Sequence, residues 1–403
     1  MSESCQRDPH RIIASSAVIY AVAVESARRF VNMSRRIRLI EPVVGAEEER
    51  LVAEVLKSGW LSEGPMTRKF EELVSKFVGA KHAIAATSCT TAMEIALRAM
   101  GIAHNDKVLI PDFTHPATAD AVIAVGAKPV LVDCDLTSYN IDINDARKAM
   151  AKKARAAIPV SWGGYPLDKK ELDALKDDLD LLIIEDAACS LGSECRGAKT
   201  GAMADITCFS FHPRKVMTTG EGGMITTEND EYAEEMRSFK NFGMGKIGEQ
   251  TRFIRYGSNY KMSDILAAVG VAQMAKLPKI IERRIELAGR YDRLLSEVDG
   301  IRPPEKKSDG KHIYQTYAAY VEIKGARDKL LQDLRAAGAE AQIGTYALHL
   351  EPYYQDLEKQ GDLSRSKLLY ENLIALPMCH NMTVEDQEYV VSQLEKSLKQ
   401  FGR

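Results

Sequence analysis

"HAIAATSCTTAMEIALRAMG" (residues 82–101) is the stretch that decides the fold. Its first five residues form a short apolar run, the pattern of a buried strand. Further on, Met93, Ala96, Leu97 and Met100 recur at helical spacing. Ser88 and Thr90 stand between the two patterns, where small hydroxyl residues start a helix. A strand that hands over directly to a helix is half of a βα unit, and similar apolar runs follow. They are "KVLIP" (107–111), "KPVLVD" (128–133), "AAIPV" (156–160), "LLIIED" (181–186) and "ITCFSF" (206–211), mostly separated by amphipathic stretches. This alternation predicts an α/β fold with a mostly parallel sheet and helices on both faces. Ligands in such sheets bind beyond the carboxyl ends of the strands, so the chemistry is expected just after these runs.

The 403 residues suffice for a large core and for roughly two domains. After a helical region near 262–296, "RPPEKKSDGK" (302–311) marks a polar break. Beyond it come strand-like "TYAAYVEI" (316–323), a helix near 326–337 and a last helix near 384–398, which read as a smaller α+β domain. We divide the chain into an extension (1–32), an N-terminal segment (33–60), a large domain (61–296) and a small C-terminal domain (297–403). The extension has arginines but no lysine, and its apolar run "IIASSAVIYAVAV" (12–24) is too short to span a bilayer. It reads either as a targeting segment or as sequence upstream of a true start at Met33. The second reading is preferred, because the folded pattern begins only at "IRLIEPVVGAEEERLVAEVL" (37–56).

A composition of 45% hydrophobic and 28% charged residues is that of a soluble globular protein. The net charge of -3 argues against nucleic-acid or acidic-membrane partners. Seven scattered cysteines with no CxxC pair suggest neither a disulfide framework nor a metal site, and fit a reducing cytoplasm.

Three groups carry the chemistry. The helix start at Ser88 and Thr90 offers open backbone N–H groups and a positive dipole end, a site for an anion, although most helices begin with such residues. "LLIIEDAACSLG" (181–192) brings Glu185 and Asp186 to a strand end, where one of them can pair with a protonated ring nitrogen; Cys189 follows three residues later. "FSFHPRKVMTTGEGG" (209–223) supplies Ser210 as a second anion donor and Lys215 before a glycine-rich loop, while Asp205, His212 and Pro213 read as shaping the strand entry and turn. A low-dielectric setting is expected to lower the Lys215 pKa and free its amine for Schiff-base chemistry. Taken together, anion donors, a buried acid and a late lysine specify a pocket for pyridoxal phosphate.

Six stretches in order, "SGWLSEGP" (58–65), "TSCTTAM" (87–93), "PDFTHPAT" (111–118), "EDAACSLG" (185–192), "FSFHPRKVMTTGEGG" and "GSNYKMSDILAAVG" (257–270), resemble the DegT/DnrJ/EryC1/StrS family of sugar aminotransferases. The resemblance covers about residues 38–400. It implies a fold type I pyridoxal-phosphate enzyme with a seven-stranded sheet. It further implies that Lys215 forms the Schiff base and moves the proton, and that Asp186 holds the ring-nitrogen proton. Ser88, Thr90, Ser210 and the backbone at Cys89 would bind the phosphate, with Asn259 reaching it from a second subunit of a homodimer. His115 stands where the family often has a stacking aromatic residue, Cys89 where Gly is common, Cys189 where Gln or His is, and Lys261 where Arg is. Dehydratases of the family carry His in place of the lysine, so Lys215 favours transamination. The reaction that the resemblance implies moves an amino group from glutamate to a keto sugar, a nucleotide-linked one being preferred; a keto-cyclitol or free keto sugar, or a non-catalytic cofactor-binding regulator, are the alternatives. Specificity would lie in "SWGGYP" (161–166), "GSNYK" (257–261) and "IGTYALHLEPYY" (343–354), where Trp162, Tyr165, Tyr346 and His349 could also serve only packing.

Overall fold

The computed structural model describes residues 36–401 apart from 150–152 and 307–308, so the extension 1–32 and Met33 lie outside the described residues. The strand-like runs assemble into one sheet. In chain order its strands are β1 (His82–Ala86), β2 (Lys107–Pro111), β4 (Lys128–Val132), β5 (Ala154–Ala157), β6 (Leu182–Asp186), β7 (Ile206–Ser210) and β8 (Gly223–Thr227), with a short β3 (Phe113–Thr114) outside it. The spatial order is β1-β8-β7-β6-β5-β2-β4, and an eighth strand, Glu358–Lys359, adds to the β4 edge. The expected seven strands are thus joined by a two-residue strand from late in the chain, which pairs in parallel with Val130 and Leu131. An edge strand leaves one row of backbone groups open, and this addition covers part of it.

Neighbours from β7 to β4 run parallel, whereas β8 is antiparallel to both β1 and β7. The consequence matters for function. Gly223, the first residue of β8, comes to the same sheet end where β1, β6 and β7 finish.

Both faces are covered, which is why the strands read as continuous apolar runs. On one face, helices α3 (Cys89–Ala99) and α4 (Pro116–Ala124) bury Met93, Ile95, Leu97, Ala119 and Val122 against Ile84, Ile184 and Ile225. On the other, α1 (Ala46–Ser58), α2 (Pro65–Val78) and a long helix, Asp264–Leu295, pack on Phe209 and Phe211. Phe70 of α2 and Phe211 are fully buried with ring centroids 5.0 Å apart. Burial of each such ring contributes roughly 1.5–3 kcal/mol.

The long helix serves two cores. Leu277, Ile280 and Ile281 belong to the core of the large sheet, while Leu287, Tyr291 and Leu295 belong to that of a second, four-stranded sheet. That second sheet has the order Ile301–Arg302, Tyr317–Val321, Leu373–Leu376, Gln342–Ile343. Buried Arg284 ties the two parts by donating to the carbonyls of Tyr314, Gln315 and Met378 at 2.6–2.9 Å. Its guanidinium pKa falls to about 10 through burial, which leaves it charged at neutral pH. Among the described residues no helix is long and apolar enough to cross a membrane.

Candidate active site

The carboxyl end of the large sheet gathers Ser88, Cys89, Thr90, Asp186, Ser210 and, just beyond it, His115, Cys189 and Lys215. At the end of β1, Ser88 caps α3: its Oγ accepts the Thr91 N–H at 3.1 Å, and Thr91 Oγ1 accepts the Ser88 N–H at 3.0 Å. Ala92 N–H already donates to the Ser88 carbonyl, so the N–H groups of Cys89 and Thr90 are the donors left for an anion in the first turn. Ser210 ends β7 and lies opposite Gly223, which in turn lies opposite Ala86. A Cβ on Gly223 would stand 2.3 Å from the Ser88 carbonyl oxygen and 2.8 Å from the Cys89 nitrogen. Only glycine lets β8 approach the α3 turn this closely, which accounts for the last glycine of "GEGG".

Glu185 and Asp186 point to opposite faces of β6. Glu185 is completely buried, accepts hydrogen bonds from Ser161 and Thr207, and has its pKa pushed up to about 7 by burial. Asp186 turns to the α3 and α4 side, where Oδ2 accepts the Thr118 hydroxyl at 2.8 Å and Oδ1 accepts the Ala188 N–H at 3.1 Å. Strand periodicity thus sends the two adjacent acids to opposite faces, and only Asp186 faces the α3 turn.

Lys215 Nζ lies 3.3 Å from the sulfur of Cys189. Burial disfavours the ammonium, but Cys189 and Asp186 outweigh it and raise the pKa above the ordinary lysine value. The expectation of a lowered pKa is overturned, because Cys189, and then Asp186, stabilise the lysine cation by more than burial disfavours it. Cys89 is buried with Sγ 3.6 Å from the Cys208 carbonyl and 4.0 Å from Asp186 Oδ1; burial, then the charge of Asp186, hold its thiol protonated. His115 caps α4, its Nδ1 accepting the Ala117 N–H at 3.1 Å. Desolvation of the ring, then the Lys215 cation, lower its pKa, so it is a neutral ring at pH 7.

Asn259 is not brought to this cluster within the chain. It is exposed, bridged to Asn241 beside a hairpin (Met244–Ile247 and Gln250–Phe253). Lys261 lies over the Phe242 ring at 4.4 Å. Trp162 packs on Phe113 and Tyr139, as a core residue does. Tyr346 and His349 instead reach the site's rim. Tyr346 pairs with Thr114 of β3 and meets the His115 ring edge-on at 6.2 Å. His349 holds buried Asp112 through its N–H at 2.8 Å and its Nδ1 at 2.6 Å.

Sequence reading missed Thr118 and Asp112, whose neighbours in "PDFTHPAT" carried a signal only as a motif. Elsewhere, Asp168, Cys195 and Asp309 place ligand atoms within 4.8 Å of one another. Arg196 pairs with both carboxylates there, at 3.1 and 2.5 Å, which makes the group an ion-pair cluster. The six cysteines among the described residues are unpaired by disulfides.

Residues 42–395 match the DegT/DnrJ/EryC1/StrS aminotransferase family. The chain belongs to that family. It is a pyridoxal-phosphate-dependent aminotransferase. Among its relatives is the GDP-perosamine synthase of Caulobacter vibrioides, 33% identical over 90% of this chain and 98% of that one. Among solved structures, Helicobacter pylori PseC, an aminotransferase of pseudoaminic acid biosynthesis, superposes with a TM-score of 0.86 at 27% identity, covering 91% of this chain and 100% of its own. The PLP form of Spr1654 from Streptococcus pneumoniae gives 0.85 at 25% identity, with 91% and 100% covered. This aminotransferase has what its cofactor requires: open N–H donors on a helix N-terminus for a phosphate, a buried carboxylate for a ring nitrogen, and an amine.

Proposed function

We propose that this aminotransferase transfers an amino group from glutamate to a keto sugar carried on a nucleotide, using Lys215 as its reactive amine. The observation that carries this reading is that Lys215 and Asp186 share one end and one face of the sheet beside the open first turn of α3. The sugar class is supported by the family and by the relatives named for GDP-perosamine and pseudoaminic acid.

When bound, pyridoxal phosphate supplies a carbonyl carbon that an amine can capture and a ring that accepts an electron pair. The chain's own residues do the rest. The N–H groups of Cys89 and Thr90, with the hydroxyls of Thr90 and Ser210, hold the phosphate, and Ser88 keeps that helix turn in shape. Asp186 keeps a proton on the ring nitrogen, and His115 covers the ring as a neutral plate. In the chain without cofactor, Cys189 and Asp186 favour the Lys215 ammonium, so a proton must leave before its amine can react; in the reaction Lys215 would carry protons to and from the substrate carbon. Cys189 holds that amine in position through the 3.3 Å contact.

Asn259 serves the site of a second copy, in a homodimer. Three strongly exposed rings beside it, Phe242, Phe253 and Tyr256, support an interface at this hairpin. The test is to bleach the bound cofactor's visible band with glutamate and then to seek its recovery with a panel of nucleotide keto sugars and keto-cyclitols. Recovery with a nucleotide keto sugar is expected. Recovery with a cyclitol alone would overturn the acceptor assignment, and no bleaching by glutamate would overturn the donor.

A further inference from the structure

A buried hydroxyl relay stands behind Asp186. Thr118 lies in α4 and is completely buried; Thr114, on β3, is buried as well. A helical threonine commonly returns its hydroxyl to the carbonyl one turn back. Thr118 Oγ1 instead lies 2.8 Å from Asp186 Oδ2, and 3.0 Å from Thr114 Oγ1. The carboxylate can only accept, so the single Thr118 proton goes to Asp186 and the Thr114 proton goes to Thr118. The polarity is thereby fixed as Thr114 to Thr118 to Asp186.

We propose that Thr118, oriented by Thr114, is a positioning residue that aims Asp186 at the cofactor ring nitrogen. The proposal rests on Asp186 being the ring-nitrogen partner. With Oδ2 held by Thr118 and Oδ1 by the Ala188 N–H, the carboxylate cannot rotate, and its remaining lone pairs have fixed directions. Held by these two donors, the carboxylate would present a lone pair to the ring's N–H in one direction only. The relay also has an anchor outside the large domain. Thr114 pairs with Tyr346, and two residues earlier Asp112 grips His349, so the segment 346–349 fixes the strand from which the relay starts.

Thr118→Val removes the hydroxyl and keeps the shape, and Thr118→Ser keeps the hydroxyl. In the holoenzyme, Thr118→Val is expected to weaken cofactor binding about tenfold and to lower kcat about tenfold, with the donor KM within about twofold, as loss of one hydrogen bond to a charged group implies. The pH midpoint of the visible band is expected to rise by roughly half a unit, because a ring that pulls electrons less makes the Lys215-linked nitrogen more basic. Thr118→Ser should restore all three, and Thr114→Val should move them the same way by less. A Thr118→Val enzyme with unchanged midpoint and cofactor affinity would overturn the relay, as would a serine variant no better than the valine. If Asp186→Asn itself leaves the band unchanged, the assignment of Asp186 fails first, and the relay falls with it.

Discussion

The two faces of β6 carry adjacent carboxylates with opposite fates. Asp186 looks toward α3, α4 and Lys215, a face where hydroxyls, an amine and open N–H groups converge. Glu185 looks into the other face, where Ser161 and Thr207 satisfy it and the residues around it are apolar. The same side-chain chemistry thus meets donors and an amine on one side, and on the other is pushed toward neutrality by burial. What separates the two is the company each face provides, not the acid itself.

The sharpest way to break this contrast is to remove the cation from the Asp186 face. Lys215→Ala is expected to lower turnover by at least about 10³-fold, since it removes the proposed reactive amine. Borohydride reduction of the wild-type holoenzyme should add cofactor mass at Lys215, and the variant should gain none. A labelled peptide that lacks Lys215 would move the reactive amine elsewhere.

Next in size is the acid. Asp186→Asn is expected to cost roughly 10²–10³-fold in kcat, the scale of losing one aimed electrostatic group. Measured beside Glu185→Gln, it turns the comparison into a ratio. Equal losses from the two variants would show that the faces are not functionally distinct.

Gly223→Ala tests the backbone part of the same face. Its Cβ would meet the Ser88 carbonyl at 2.3 Å, so either β8 or the α3 turn must move. Cofactor affinity is expected to fall about tenfold, with a loss of roughly 1–3 kcal/mol in stability from the overpacking. Equilibrium dialysis against pyridoxal phosphate and thermal unfolding check the two parts separately. An unchanged affinity would remove the α3 turn from the cofactor site.

How far all this could be read from sequence depends on the range of each interaction. Six strands and the α3 cap were visible because apolar runs and small hydroxyls act locally. The strand β8 was hidden, since its five residues include two threonines and follow glycines that read as loop. Thr118 was hidden for a different reason. Its partner Asp186 is 68 positions away, and nothing local distinguishes it from a threonine that bonds its own helix. Asp264 is the same case. It reads as the start of a helix, yet its carboxylate caps α2 by accepting the N–H groups of Gly64, Met66 and Thr67 at 2.8–3.0 Å. The Lys215 pKa differs from the expectation because burial was weighed without Cys189 and Asp186, which the fold brings to the same site.

The smallest effect on turnover is expected from Glu185→Gln, within about twofold, and there the contrast shows in stability instead. In the unfolded chain Glu185 titrates near its ordinary value of 4.5, while in the folded protein burial holds it near 7. Between these two values the folded state binds the extra proton, so raising the pH through this window weakens folding. The penalty is absent below about pH 4.5 and fully developed above about pH 7. A separation of this size corresponds to on the order of 3 kcal/mol, and water or side-chain relaxation around the ionised form reduces it. Glutamine keeps the acceptor that Ser161 needs and cannot ionise. The variant is therefore expected to gain stability relative to wild type as the pH is taken from 5 to 8, in urea unfolding of matched samples. A pH-independent difference would mean that Glu185 ionises in the fold as easily as in water, and that the two faces of β6 treat their acids alike.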